Sequence, residues 1–229
     1  MKQVLIFSII LSSFVQASAK LKNETIDHYI ETFDALIDNA FSMPWDSRRP
    51  YYEDAESLMD SLIQIHPHNP DILARMAISN VQLLNYEDYS AQISRVQKVD
   101  SLTLHALELD STHAISLVIR GILNYRLSNL SWIERFIVNT FIGQLPETSY
   151  EKSIAYLKKA IKFYKRSPYY YFALARTQLV LENEQQAKET LQYALSIPPE
   201  NKLDKHYQNV AADWLKNLQE GKEFDLHHH

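Results

Sequence analysis

The stretch PYYYFALARTQLVLENEQQAKETLQYALSIPP, residues 168–199, decides the fold. It reads as two helices joined by a turn. Pro168 suits a first helical turn, where its missing N–H leaves no bond unmade. Tyr171, Leu174 and Ala175 follow at spacings that share a helix face, and Ala187, Leu191 and Ala194 do the same on a second helix that Pro199 ends. The small residues have a physical purpose. Two antiparallel helix backbones approach closely only where the side chains at their crossing are small. A larger residue at Ala175 or Ala187 would overpack that seam, at ~1–3 kcal/mol.

This order of aromatic, apolar and small residues resembles the tetratricopeptide (TPR) unit, a helix pair of about 34 residues. Gln178 departs from the pattern, which usually has Tyr there, so one packing contact is weakened. The register recurs along the chain. Ser153, Leu157 and Ala160 lie 34 residues before Ala187, Leu191 and Ala194, and Ala55, Met59, Leu62 and Pro67 form another second helix. Val99, Thr103 and Ala106 form a weaker third. From the second helix of one pair to the first helix of the next, Ala55 to Ala77, Val99 to Gly121 and Ser153 to Ala175 are each 22 residues apart. The irregularity lies inside the pairs. Ala175 to Ala187 is 12 residues, whereas Ala77 to Val99 is 22 and Gly121 to Ser153 is 32. The first excess predicts a second helix lengthened back toward Glu87. The second, residues 128–148, predicts an inserted helix around Trp132 that Gly143 and Pro146 end. Ser131 and Glu134 would form the capping box at its start.

The predicted fold class is therefore all-α, a TPR-like α-solenoid of antiparallel helix pairs. Cap helices close both ends, over residues 24–41 and 203–218. A loop carrying Pro44, Trp45 and Pro50 separates the first cap from its neighbour. Composition agrees: 3 Gly and 8 Pro in 229 residues are too few Gly for the turns of a sheet protein.

Three further features appear together: Leu130-Ser131-Trp132-Ile133-Glu134-Arg135, the segment from Pro146 to Tyr150 leading into a second helix, and the strong last repeat. The region from Asp110 to Leu218 resembles the TPR domain of the regulator of microtubule dynamics protein family. A similar Ser-Trp-aliphatic-Glu motif follows a first helix there, and Gly and Pro precede a segment like Ser149-Tyr150-Glu151. The N-terminal half resembles that family only as generic TPR. The resemblance implies an interaction domain without catalytic residues. It does not bring the microtubule role with it, because an exported protein would not meet tubulin.

In the TPR pattern the first helix of each pair lines the concave face. This places Ile115, Val118, Ile122 and Tyr125 on one wall of a candidate groove and Tyr169, Phe172, Arg176 and Leu179 on the next. Left open, so apolar a lining would be a large exposed patch. Either the inserted helix fills it with Trp132, Ile133, Phe136 and Ile137, or a ligand or partner helix does.

The remaining signals bound the function class. Lys2, the apolar run from Val4 to Val15 and Ala17-Ser18-Ala19 predict a signal peptide over residues 1–19, cleaved after Ala19. The run is too short for a stable membrane span, so no transmembrane anchor is expected after cleavage. The expected localisation is exported, either periplasmic or secreted. A single domain is expected over 20–221, then a disordered tail over 222–229 whose terminal His227, His228 and His229 resemble a tag remnant. Zero Cys excludes disulfides, cysteine nucleophiles and Cys-based zinc sites. The net charge of −5, without a basic footprint, argues against nucleic acid. Lys158, Lys159, Lys162, Lys165 and Arg166 form one basic stripe, read as a solvated outer face. His66 and His68 flank Pro67 without a converging third ligand, so no metal is expected. Gly stands only at 121, 143 and 221, which leaves no phosphate loop, and no GxSxG or HExxH is present. The chain thus reads as a non-enzymatic scaffold without cofactors, partnered by an unknown protein or peptide. The alternative is a module that binds a small apolar molecule or lipid between Tyr125 and Phe172.

Overall fold

The structure, a computed structural model, describes residues 26–141, 143–222 and Leu226, with the backbone alone of Trp132, Ile133, Ile137 and Phe141. The expected signal peptide and most of the expected tail lie outside the described residues. Ten α-helices follow one another among the described residues: α1 (Ile26–Ala40), α2 (Arg49–Ile63), α3 (Pro70–Leu83), α4 (Tyr89–Leu109), α5 (Ala114–Ser128), α6 (Trp132–Phe141), α7 (Tyr150–Phe163), α8 (Pro168–Val180), α9 (Glu184–Ser196) and α10 (Lys202–Glu220). No strand occurs among them. The helices pack as pairs, α1 with α2, α3 with α4, α5 with α7 and α8 with α9, and α10 covers the last pair. The fold is an all-α, TPR-like solenoid.

Local chemistry explains where the helices begin. Asn69 precedes Pro70, and its side-chain oxygen accepts from the backbone N–H of Asp71 and Ile72. Asp88, Ser149 and Asn201 cap α4, α7 and α10 in the same way. Asp88 makes α4 the lengthened second helix that the spacing implied. The inserted helix exists as α6, and its capping box is complete. The Ser131 N–H donates to Glu134 Oε2 at 2.8 Å, and the Glu134 N–H donates to Ser131 Oγ at 3.2 Å. One boundary differs from the sequence reading. The expected loop before α2 is interrupted by a 3₁₀ turn at Trp45–Ser47, and Pro50 lies in the first turn of α2 rather than in the loop. Its fixed φ is preorganised for that position.

The turn between α8 and α9 is a Schellman closure. The Asn183 N–H donates to the Gln178 carbonyl and the Glu182 N–H to the Leu179 carbonyl. Glu182 therefore sits at φ 59°, a left-handed position that glycine usually fills. With Glu there, the turn carries no sequence signal.

All six residues that set the 22-residue register, Ala55, Ala77, Val99, Gly121, Ser153 and Ala175, are buried. The tightest crossing joins α5 to α7. A Cβ on Gly121 would lie 2.5 Å from Leu157 Cγ, inside any real contact distance. Ser153 Oγ donates to the Gly121 carbonyl at 2.7 Å and lies 3.2 Å from Thr177 Oγ1 of α8. Three consecutive helices of the stack thus meet at one small-residue seam.

The stack also closes on itself. The backbone N–H of Lys202, opening α10, donates to Asp38 Oδ1 of α1 at 2.7 Å, and Lys202 Nζ lies 3.4 Å from Asp38 Oδ2. The rings of Phe41 and His206 lie 6.3 Å apart beside this pair. The first helix pair therefore touches the final cap.

Gly121→Val is expected to lower the unfolding free energy by ~1–3 kcal/mol, because Leu157 cannot withdraw from the seam. Ala155→Val, on the exposed side of α7, is expected to change it by less than about 0.5 kcal/mol. Urea titration followed by helical circular dichroism measures both.

Candidate functional site

Helices α5 and α8 are first members of their pairs and carry eight of the candidate groove residues. On α5, Val118, Ile122 and Tyr125 are buried and Ile115 is half-buried; on α8, Phe172 and Arg176 are buried and Tyr169 and Leu179 are half-buried. The structure divides these residues between two cores. Ile115, Val118, Ile122 and Tyr169 join the central cluster around Leu117 and Leu157. Phe172 and Leu179 join the cluster that α10 completes with Ala211 and Trp214. Arg176 links the two. Its guanidinium lies 4.2 Å from the centre of the Tyr125 ring and 5.9 Å from that of Phe172. An arginine over an aromatic face is favourable by roughly 0.5–2 kcal/mol, most when desolvated. Burial lowers the Arg176 pKa, but a guanidinium remains charged.

Part of the cover over these residues comes from α10, which packs against Phe172. The inserted helix was one expected occupant. Phe136 of that helix is instead 60% exposed, although Val138 is buried; the side chains of Trp132, Ile133 and Ile137 lie outside the described residues. The insertion is held by Arg135, which donates to the Pro146 carbonyl at 3.3 Å, to Thr148 Oγ1 at 3.1 Å and to the Leu127 carbonyl. Its return segment lies against α4, where Gln97 donates to the Gln144 carbonyl at 3.2 Å. A cleft of about 600 Å³ separates that segment from Asp100, Leu104 and His105 of α4.

The cap helix α10 covers the aromatic wall. The Tyr207 ring lies 4.6 Å from Tyr169 and 4.9 Å from Phe172, and the Trp214 ring lies 4.8 Å from Phe172. Beyond α10, Leu226 packs against the same cluster. The Tyr125 hydroxyl, 101 residues away in sequence, donates to the Leu226 carbonyl at 2.9 Å. Asp204 ties the start of α10 to the start of α8. It accepts from Ser167 Oγ at 2.7 Å, from the Tyr169 N–H at 3.3 Å and from the Glu200 N–H at 3.3 Å. Burial pushes its pKa up, against these hydrogen bonds. Burial likewise pushes the Tyr169 phenol above its ordinary range.

Sequence reasoning missed Tyr207, Trp214, Asp204 and Leu226 as parts of this wall. Tyr207 and Trp214 were visible as the apolar face of a cap. The helix they would cover was not, because a repeat pattern describes neighbours within the array and says nothing of the angle at which a cap docks.

A polar ladder links α1, α3 and the start of α5. Arg75 forks onto Asp34 at 2.9 and 3.0 Å and reaches Asp71 at 3.0 Å. Asp71 lies 3.5 Å from His113 Nε2, while His113 caps α5 through Nδ1. Elsewhere, His68 Nδ1 lies 3.4 Å from His105 Nε2. The basic stripe of α7 is exposed at Lys158, Lys159, Lys162 and Lys165, and Arg166 pairs with Glu200 at 3.4 Å.

The family model for regulator of microtubule dynamics protein 1-3 matches residues 37–219. The chain belongs to this family. Regulator of microtubule dynamics protein 1 from Homo sapiens is 28% identical over 140 residues, an alignment covering 59% of this chain and 44% of that protein. The Caenorhabditis elegans protein of that name is 28% identical over 111 residues, covering 48% of this chain and 49% of that one. The chain spans about half the length of the curated relatives it matches. In solved structures, a thermophilic TPR protein from Thermus thermophilus superposes with a TM-score of 0.52 at 16% identity, covering 88% of this chain and 98% of that chain. That likeness is one of fold. Membership extends the family relation into the N-terminal half, where the sequence alone showed generic TPR character.

The ladder gives a pH-dependent prediction. Asp71 is held below the ordinary carboxylate range, first by its hydrogen bond with His113 and then by Arg75. A carboxylate with a depressed folded pKa stabilises the fold above its unfolded value, about 3.9. That contribution is lost as pH falls through the folded value. Asp71→Asn is therefore expected to destabilise the chain at pH 7, by less than about 1 kcal/mol for so exposed a carboxylate. The gap from the parent chain should narrow below about pH 4. Urea midpoints of both proteins at pH 7 and at acid pH check the sign.

Proposed function

We propose that this chain is an exported, non-catalytic scaffold that docks a protein partner on its TPR surface. The TPR stack carries this reading. Helix pairs repeated along one axis present a long, rigid surface without needing a reactive centre. The non-catalytic part rests on a sequence without phosphate loop or nucleophile elbow. The export part rests on Lys2, the apolar run to Val15 and Ala17-Ser18-Ala19, and puts the protein in the periplasm or outside the cell. The name of the relatives, with its reference to microtubule dynamics, describes those longer proteins. A small apolar ligand between Tyr125 and Phe172 is the weaker reading, because it would have to displace Tyr207, Trp214 and Leu226 from positions they already fill.

Two measurements test the proposal. N-terminal sequencing of the chain recovered from the exported fraction should begin at Lys20; a membrane-bound chain retaining Met1 would overturn the export part. For docking, a photo-crosslinking phenylalanine analogue is placed in turn at Tyr89, Phe136 and Tyr193, exposed by 48%, 60% and 50%. A discrete adduct in the native host is expected from at least one position. Recovery of the folded, exported chain without an adduct at any of the three would sink the scaffold reading.

A further inference from the structure

We propose that His68 and His105 form a binding site for a divalent transition-metal ion of the zinc and copper class, where the turn before α3 meets α4. The site lies apart from the groove residues of α5 and α8 and does not depend on the scaffold reading.

The sequence alone left His66 and His68 without a converging ligand. The fold supplies one to His68 from 37 residues away. His105 Nε2 lies 3.4 Å from His68 Nδ1, and the two rings are nearly perpendicular at 77°. That separation is long for a hydrogen bond donated by N–H, whose usual range is about 2.7–3.2 Å. It is the separation that a metal ion imposes. Two nitrogens bonded to one ion at about 2.0–2.1 Å, with a near-tetrahedral angle between them, stand roughly 3.3–3.4 Å apart. Two facing ring nitrogens also repel through their lone pairs unless a proton or a cation lies between them.

Both rings are carried by ordered elements, so little is lost in bringing them together. His68 follows Pro67 in the turn after α2. The Asn69 N–H there donates to the His66 carbonyl at 3.2 Å, and the Asn69 side chain caps α3. His105 stands on α4 beside the buried Ala106, and α3 and α4 pack as a pair. The surroundings suit a cation. His105 lines the cleft of about 600 Å³ along α4, whose other charged lining residues are Asp100 and Glu108, with no Lys or Arg among them. Asp100 already pairs with Arg120, whereas Glu108, three residues on from His105, is exposed. No group of three or more His, Asp or Glu side chains converges among the described residues. The protein therefore supplies two ligands, and water from the cleft completes the shell. Imidazole suits zinc, nickel and copper, while magnesium and calcium take oxygen ligands, and copper binds most tightly of the divalent series.

The test uses the full chain carrying His227→Ala, His228→Ala and His229→Ala, because a run of three His chelates metal by itself. Isothermal titration calorimetry with Zn2+ should show one ion bound per chain. Adding His68→Gln or His105→Gln should weaken that binding at least tenfold. Zn2+ should raise the melting temperature of the background chain but not of either variant, since it ties the turn before α3 to α4 only when both rings are present. Pulsed electron paramagnetic resonance of the Cu2+-loaded chain should count two imidazole ligands, and one in each variant. Zn2+ affinity unchanged in either variant would overturn the proposal, as would no binding by the folded background chain, or Mg2+ competing as well as Zn2+. Should either variant melt below the background chain, the imidazole count in the background chain decides. These outcomes leave the scaffold reading as it stands, since its crosslinking positions are Tyr89, Phe136 and Tyr193.

Discussion

The approach of Leu157 to Gly121 is the constraint on which the stack depends. With no Cβ between them, α5 and α7 come close enough for Ser153 to hydrogen-bond to the Gly121 carbonyl and to lie against Thr177 of α8. That seam sets the spacing of two consecutive pairs. The same requirement, met by Ala55, Ala77 and Ala175 elsewhere, explains why the 22-residue interval survives while the turns within pairs do not. A crossing tolerates no added volume. A turn at the surface tolerates a long insertion, because loop closure grows costly only slowly with length.

The second consequence concerns the concave face. An array of helix pairs ends with apolar wall on its last first-helix, and this chain covers that wall with its own α10. Phe172, Tyr169, Tyr207 and Trp214 form one aromatic stack there. The buried charge of Arg176 is accommodated because its guanidinium packs against Tyr125 and needs less solvation than an ammonium would. A hydrogen bond from the Lys202 N–H to Asp38 also joins α10 to α1.

How much was legible follows from the range of each signal. The capping box of Ser131 and Glu134, the Asp88 cap of the lengthened helix and the buried register residues are local, and each was readable from a few neighbouring letters. Tyr125 of α5 and Arg176 of α8, both among the candidate groove residues, are in contact across two repeats. The insertion, apolar on several faces, was one expected filler; of its four named side chains only Phe136 is described, and it points to solvent, while Arg135 fastens the insertion to its own return segment. The turn at Glu182 was silent, since its left-handed conformation is imposed by the helices on either side rather than by a glycine.

By itself, then, the sequence determined the helices, their pairing and the small residues at each crossing, because these depend on periodicity and on contacts between neighbouring elements. It also put apolar residues on one face of α5 and of α8. Only the tertiary structure showed that they divide between two cores, one of them completed by α10. Tyr125 and Leu226 are separated by 101 residues, and no periodicity links them. Their meeting depends on the accumulated superhelical angle of the whole stack and on the docking of α10, which are properties of the assembled solid rather than of any stretch of chain.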